Sequence, residues 1–296
     1  MSHLSHSIHM EEAYEMVGAM RRQEGRGYQK EDWLELTQAE MDSGRRPQHW
    51  EDVVDAECRD KMVNWCFQVV QFCKFSAEAV ETTMSLVDRF LATPEGVEGR
   101  TDRSVYQLVC MAALYTTFKI HEQRAMTPDL VARLSNGVHT PDDIKKMEVK
   151  MLIALQWRVN PPTSFDFMGK LIELIPLDMM SSSMREIVRD LTDYQFQLAV
   201  RSHHFMTAPA SIVAYVALLN SLECVGLDSS TVAYLARNLS RILQNNCDMV
   251  DVSGLQDILY QSVSKQKVSI KMSRYEKSKS HCERHPQSPR AVTHAQ

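Results

Sequence analysis

Apolar residues in this chain recur at three- and four-residue intervals in segment after segment, the spacing of one face of an α-helix. Met62, Val63, Cys66, Val69 and Val70 make one such stripe over about residues 56–72. Ala79, Val80, Met84, Val87 and Leu91 make the next over about 76–92, with Ser76 as its cap. A third, about 102–119, carries Val105, Leu108, Val109, Ala112 and Ala113. A fourth, about 127–135, opens on Thr127–Pro128, a capping hydroxyl followed by the residue best suited to the first helical position. The fifth opens on Thr140–Pro141 and runs to Gln156. Only 10 Gly and 10 Pro are present and they collect between the stripes, which points away from a turn-rich β architecture.

Pro161–Pro162 stops this series sharply. A second series follows, over about 163–175, 183–204, 207–222, 228–237, 239–249 and 254–263. The similar number and order of lengths predict a structural repeat, and so an all-α chain of two tandem five-helix domains. An amphipathic helix over 10–24, with Met10, Tyr14, Val17 and Met20 on one face, precedes them. The expected organisation is a disordered start (1–9), an N-terminal helix and linker (10–55), a first domain (56–160), a second domain (161–264) and a basic, disordered tail (265–296).

The formal net charge of −5 is unevenly spread: from Lys265 onward eight Lys/Arg face two Glu, which leaves the body acidic. An acidic body argues against a nucleic-acid-binding domain. The tail reads either as a solvated extension or as an aid to nuclear entry. No apolar run reaches the length that spans a bilayer and the N-terminus has no apolar signal core, so an intracellular protein with no membrane contact is expected. Seven cysteines without a C-x-x-C pair read as reduced thiols.

Two charge pairs stand out. Arg59 and Asp88 both sit among apolar neighbours (Val63, Trp65, Val87, Phe90), and charges in such surroundings are expected to meet. Lys119 ends the third stripe, and Glu148 lies near the start of the fifth between Met147 and Met151–Leu152. Taken singly, each reads as solvated surface. In an antiparallel bundle one helix end and another helix's beginning can share a rim, which would bring both charges to one place.

The ordered set CRDKMVNW (58–65), LVDRFL (86–91), Leu108, Lys119 and MEVKML (147–152) resembles the cyclin box. The resemblance covers roughly 10–263 and implies a regulatory subunit that binds and activates a cyclin-dependent protein serine/threonine kinase, with no catalysis of its own. It implies that Lys119 and Glu148 grip the kinase around its αC helix, with Leu152, Trp157 and Ile120 adding apolar surface. It gives Arg59–Asp88 the role of an internal structural pair. In many cyclins Ser-Lys-Phe-Glu-Glu stands where this chain has Phe118-Lys119-Ile120-His121-Glu122, so His121 replaces an acid and kinase preference is expected to differ. The helix over 10–24 loosely resembles one that cyclins lay against the kinase.

A docking groove for Arg-x-Leu motifs of substrates or inhibitors would by resemblance involve Cys58, Met62, Trp65, Gln68, Arg103 and Gln107. Lys61 stands where an apolar residue is usual, and Gln68 where an acid is usual. The second half is most similar to D-type (G1) cyclins, through Ala208-Pro209-Ala210-Ser211-Ile212-Val213-Ala214, which implies G1/S control of the cell cycle. No L-x-C-x-E occurs, and no R-x-x-L destruction box, which weighs against a mitotic role. Localisation to nucleus and cytoplasm goes with this reading. The alternative is a cyclin-fold transcription regulator or adaptor with no cell-cycle kinase partner.

Nothing in the sequence calls for a cofactor or metal. His121-Glu122 begins like H-E-x-x-H but the fifth position is Ala125. His281, Cys282 and His285 cluster in a segment with no core to hold coordination geometry. His203-His204 reads as a helix-end pair facing solvent.

Overall fold

The computed structural model of the protein describes residues 2–44, 52–121, 126–243 and 251–276, with side chains described between 9 and 264. The His281, Cys282, His285 cluster, Glu122 and Ala125 lie outside these residues. Every regular element among them is helical, and the described residues form two compact units. The first unit holds residues 28–161 and 200–207; the second holds 1–27, 162–199 and the described residues of 208–282. The divide between Pro161 and Pro162 is where two consecutive prolines forbid helical continuation.

In the first unit, α2 (Trp33–Asp42), α3 (Ala56–Cys73), α4 (Glu78–Leu91), α5 (Val97–Thr101), α6 (Arg103–His121), α7 (Pro128–Arg133) and α8 (Pro141–Ala154) follow in order. Helix α6 is the axis: Tyr106, Gln107 and every residue from Val109 to Phe118 are buried, and α4 and α8 pack on it. A helix buried on all sides needs no polar face, which is why its apolar stripe is so wide. Side-chain oxygens close the helix starts. Asp55 accepts from the Cys58 N–H at 2.8 Å, and Thr140 and Asp143 form a reciprocal capping box. Ser76 caps one residue early, accepting from the Glu78 N–H, while Ala77 holds the cap position of α4.

In the second unit, α1 (Ser2–Gly27), α9 (Ser164–Glu173), α10 (Ser182–Arg201, whose last two residues fall in the first unit), α11 (Ala210–Cys224), α12 (Ser229–Ile242) and α13 (Val252–Glu276) are arranged around α11. Every residue of α11 from Ala210 to Leu222 is buried. Its cap residue is Pro209, which has no side chain able to accept a hydrogen bond. Glu24 of α1 takes over that task, accepting from the Ser211 N–H at 3.1 Å and the Ser211 hydroxyl at 2.7 Å. Arg21 reaches the same carboxylate at 2.6 Å and the Leu243 carbonyl at 3.0 Å.

Several expected boundaries move. Helix α1 starts at Ser2, inside the stretch expected to be disordered, and belongs with the second unit; the expected 10–55 segment therefore divides at Gly27. Within that segment α2 is a helix where linker is expected; Thr37 is one of its two buried residues and its apolar stripe is short. The expected helices over 228–237 and 239–249 are one helix as far as Ile242, with 244–250 outside the described residues. Helix α13 continues to Glu276, past the expected end at residue 263.

Candidate functional site

The buried pair comes first, because it fixes the frame. The Arg59 guanidinium on α3 meets the Asp88 carboxylate on α4 with two parallel bonds, Nε to Oδ1 at 3.1 Å and Nη2 to Oδ2 at 2.8 Å. Both side chains are almost fully sealed. The remaining capacity is filled as well: Trp33 Nε1 donates to Asp88 Oδ1 at 3.0 Å, and Arg59 Nη1 donates to the Val200 carbonyl at 3.0 Å. Burial pushes the Arg59 pKa down, but the neighbouring Asp88 carboxylate outweighs it and holds the guanidinium charged, above its ordinary range. Fork-to-fork geometry of this kind is the strongest arrangement available to the pair. The role of Trp33 is invisible in the sequence; only the Asp32 cap ahead of α2 hints at an element there.

Lys119 and Glu148 come together on one rim. Lys119 Nζ lies 2.8 Å from Glu148 Oε1 and 3.1 Å from Oε2, and the Thr116 hydroxyl donates to Oε1 at 3.1 Å. Lys119 Nζ also sits 4.9 Å from the Tyr115 ring centre, within cation–π range. The pair is asymmetric: the Glu148 side chain is 9% exposed and Lys119 42%. The carboxylate is thus set in the wall and the ammonium stands half in solvent, free to share its protons with incoming carbonyl groups.

Apolar surface borders this rim. Ile120 is 39% exposed, Val149 52%, Ile153 64% and Trp157 70%, while Leu152 is half-buried. Helical spacing puts Glu148 and Leu152 on one stripe of α8 and Val149 and Ile153 on the next. Val149 and Ile153 were not anticipated; the signal was two β-branched residues four apart on a capped helix, offset from the buried stripe.

Trp157 is presented by an unusual turn. Gln156 N–H donates to the Ile153 carbonyl at 3.0 Å and Trp157 N–H to the Leu152 carbonyl at 2.8 Å, the paired bonds of a Schellman helix end. That motif favours glycine, yet here both Gln156 (φ 52°) and Trp157 (φ 61°) are left-handed. Each such residue costs roughly 1–2 kcal/mol relative to right-handed backbone.

The residues expected to line a docking groove differ in exposure. Cys58, Met62, Trp65 and Gln107 are all buried, Arg103 is half-buried with its guanidinium 3.5 Å from the Val53 carbonyl, and Gln68 alone is exposed. Lys61 pairs with Glu57 at 2.7 Å. His203 and His204 are exposed with ring centres 4.1 Å apart, and no group of three metal-ligating side chains occurs among the described residues. No described helix is long and apolar enough to cross a membrane.

Residues 28–160 match the family described as "Cyclin, N-terminal domain". The chain is 26% identical over 188 residues to the G2/mitotic-specific cyclin-2 of Antirrhinum majus, covering 62% of this chain and 41% of that protein. It is 23% identical over 223 residues to cyclin-F of Xenopus laevis, covering 70% and 29%. It is 23% identical over 194 residues to the G1/S-specific cyclin-D1 of Canis lupus familiaris, covering 64% and 63%. The chain thus spans less than two thirds of the length of these relatives, and mitotic and G1/S-specific ones stand at the same level of identity. Among solved structures, a viral cyclin from herpesvirus saimiri superposes with a TM-score of 0.55 at 16% identity, over 79% of this chain and 96% of that one. That likeness is one of fold: two tandem five-helix cyclin domains.

Proposed function

The chain belongs to the cyclin family, and from that premise we propose that it is the regulatory subunit of a cyclin-dependent protein kinase, without catalysis of its own. The observation that carries the reading is the Lys119–Glu148 pair, bonded at 2.8 Å on a rim bordered by exposed Ile120, Val149, Ile153 and Trp157. A set-in carboxylate accepts backbone N–H groups and a half-exposed ammonium donates to carbonyls, so the pair suits the backbone at the end of a partner helix. The apolar side chains suit that helix's buried face.

The mechanism is a shift of population. A protein kinase works when its β3 lysine pairs with the αC glutamate, and αC position governs that pairing. A partner that fits only the inward αC helix moves the equilibrium toward it. Taking a 1:99 mixture to 99:1 needs about 5.5 kcal/mol of differential binding. An interface above roughly 2,000 Å², a size seen in signalling assemblies, is sufficient for that.

The finer assignment, control of the G1/S transition, rests on the small-residue start of α11 (Ala208 to Ala214) and is supported by the D-type relatives at 21–23% identity. Nuclear and cytoplasmic localisation belongs to the same proposal. Recognition of Arg-x-Leu segments by the α3 surface has weaker support, since Trp65 and Met62 are covered. The test is co-purification: a chain carrying both Lys119→Ala and Glu148→Ala should lose its kinase while keeping its helical circular dichroism. Full retention of the kinase overturns the reading.

A further inference from the structure

Arg89 is the second residue of the Asp88–Arg89 pair near the end of α4, and its neighbour's ion pair does not involve it. It is 6% exposed. Its guanidinium lies over the Tyr28 ring, 4.7 Å from the centre, and Nη1 donates to the Arg158 carbonyl at 2.9 Å. Burial, the largest influence on it, lowers its pKa to about 10, so the group stays charged at neutral pH. A buried cation aimed at one peptide carbonyl makes a strong, directional bond. That carbonyl follows directly on Trp157.

The turn it grips is the one that runs against backbone preference, with left-handed Gln156 and Trp157 in succession. Such geometry persists only where surrounding structure over-determines it, and it concentrates at sites of function. The Schellman bonds to the Leu152 and Ile153 carbonyls fix the turn from the α8 side. Its outgoing end is held on one side by the Arg158 N–H bond to the Leu155 carbonyl at 3.0 Å and on the other, from a different helix, by the Arg89 bond to the Arg158 carbonyl. Tyr28, at the entry to the first unit, holds the guanidinium in place.

We propose that Arg89 is a positioning residue for kinase binding: braced by Tyr28, it clamps the Arg158 carbonyl and so holds Trp157 out as a preorganised apolar anchor. This rests on the kinase-binding reading above. Preorganisation removes the ordering cost that a mobile tryptophan would incur on binding. Arg89 itself is buried, so its effect passes through Trp157.

The experiment is a double-mutant cycle on the full chain, read as affinity for its kinase. Arg89→Met preserves volume and removes the clamp; it should weaken binding roughly tenfold, within the range for coupled neighbours. In a Trp157→Ala background the same change should have no further effect. A merely structural role would give penalties that multiply, and that outcome overturns the proposal, as does Arg89→Met binding at full strength. Should Arg89→Met fail to fold, Tyr28→Leu enters the same cycle with the same expectations. In the free protein, amide exchange at residues 156–159 should speed up in either variant; unchanged exchange overturns the clamp. If Trp157→Ala binds at full strength the proposal also fails, while the kinase reading is judged separately by the Lys119/Glu148 variant.

Discussion

The two units solve the same packing problem with different chemistry. In the first, the helix α3–α4 contact contains a sealed Arg59–Asp88 pair, and α6 meets α8 through Thr116, Lys119 and Glu148. In the second, α9 meets α10 through Phe165 and Phe196, edge to face at 4.9 Å. There α11 meets α13 through neutral amides, Asn220 Nδ2 approaching the Gln256 carbonyl at 3.4 Å. The polar groups buried between α10 and α11 are uncharged too: Thr192, Gln195, Asn220 and Ser221 satisfy one another at 2.8–3.0 Å. The contacts of α11 with α10 and α13 thus cohere through neutral groups, while the second unit keeps a buried carboxylate, Glu24 with Arg21, where α1 caps α11. Where the first unit carries charges at its helix contacts, at the desolvation cost they entail, we propose that they set geometry and recognition.

Four measurements would sharpen or break this contrast. The largest effect should come from Asp88→Ala, which strands the Arg59 charge and should cost about 3–5 kcal/mol. Urea unfolding should show the loss in the first unit's transition and leave the second's in place. Next, Glu148→Ala should cost about 2–5 kcal/mol of kinase affinity, much of it from leaving Lys119 unpaired at the interface. Asn220→Ala, which removes the donor at the matching contact of the second unit, should leave affinity unchanged by titration calorimetry. Equal losses at both positions would erase the functional distinction between the repeats. Third, Ser221→Ala removes a hub that bonds Thr192 and Gln195, for about 1–3 kcal/mol in the second unit alone. A loss matching that of Asp88→Ala would mean that neutral networks and ion pairs are interchangeable here.

The smallest effect concerns pH. Burial, only partly offset by Asp143, lowers the His139 pKa below its ordinary value. The unfolded chain then takes up that proton at higher pH than the folded one does. Stability of the first unit should fall as pH drops from about 6.5 through the lower folded value. His139→Gln should flatten that slope in melts at pH 7 and pH 5, and a slope unchanged by the substitution would assign it elsewhere.

Much of this was legible in the sequence because helices announce themselves by period. Thr127–Pro128 and Thr140–Pro141 open α7 and α8 as expected, each threonine accepting from the chain three residues on. The two charge pairs were legible through order and spacing, and the distances bear out both contacts. What escaped was information carried between distant segments. Trp33 completes the Asp88 site across 55 residues, and Arg89 reaches Arg158 across 69. No local pattern encodes either. Val149 and Ile153 escaped for a different reason, since an apolar residue facing solvent looks like core in a one-dimensional reading. The groove residues show the reverse: Trp65 and Met62 carry suitable side chains, but only packing decides whether they are open.

The cap that Glu24 places on α11 spans 187 residues of sequence. At about 5–20 residues per second on the ribosome, helix α1 waits roughly 10–40 s before Ser211 exists to receive it. Ala13, Val17 and Met20 of α1, buried in the finished protein, wait in the same way for α9, the helix that packs on α1. A fragment begun at Pro162 would therefore leave the first turn of α11 without its Glu24 cap from birth.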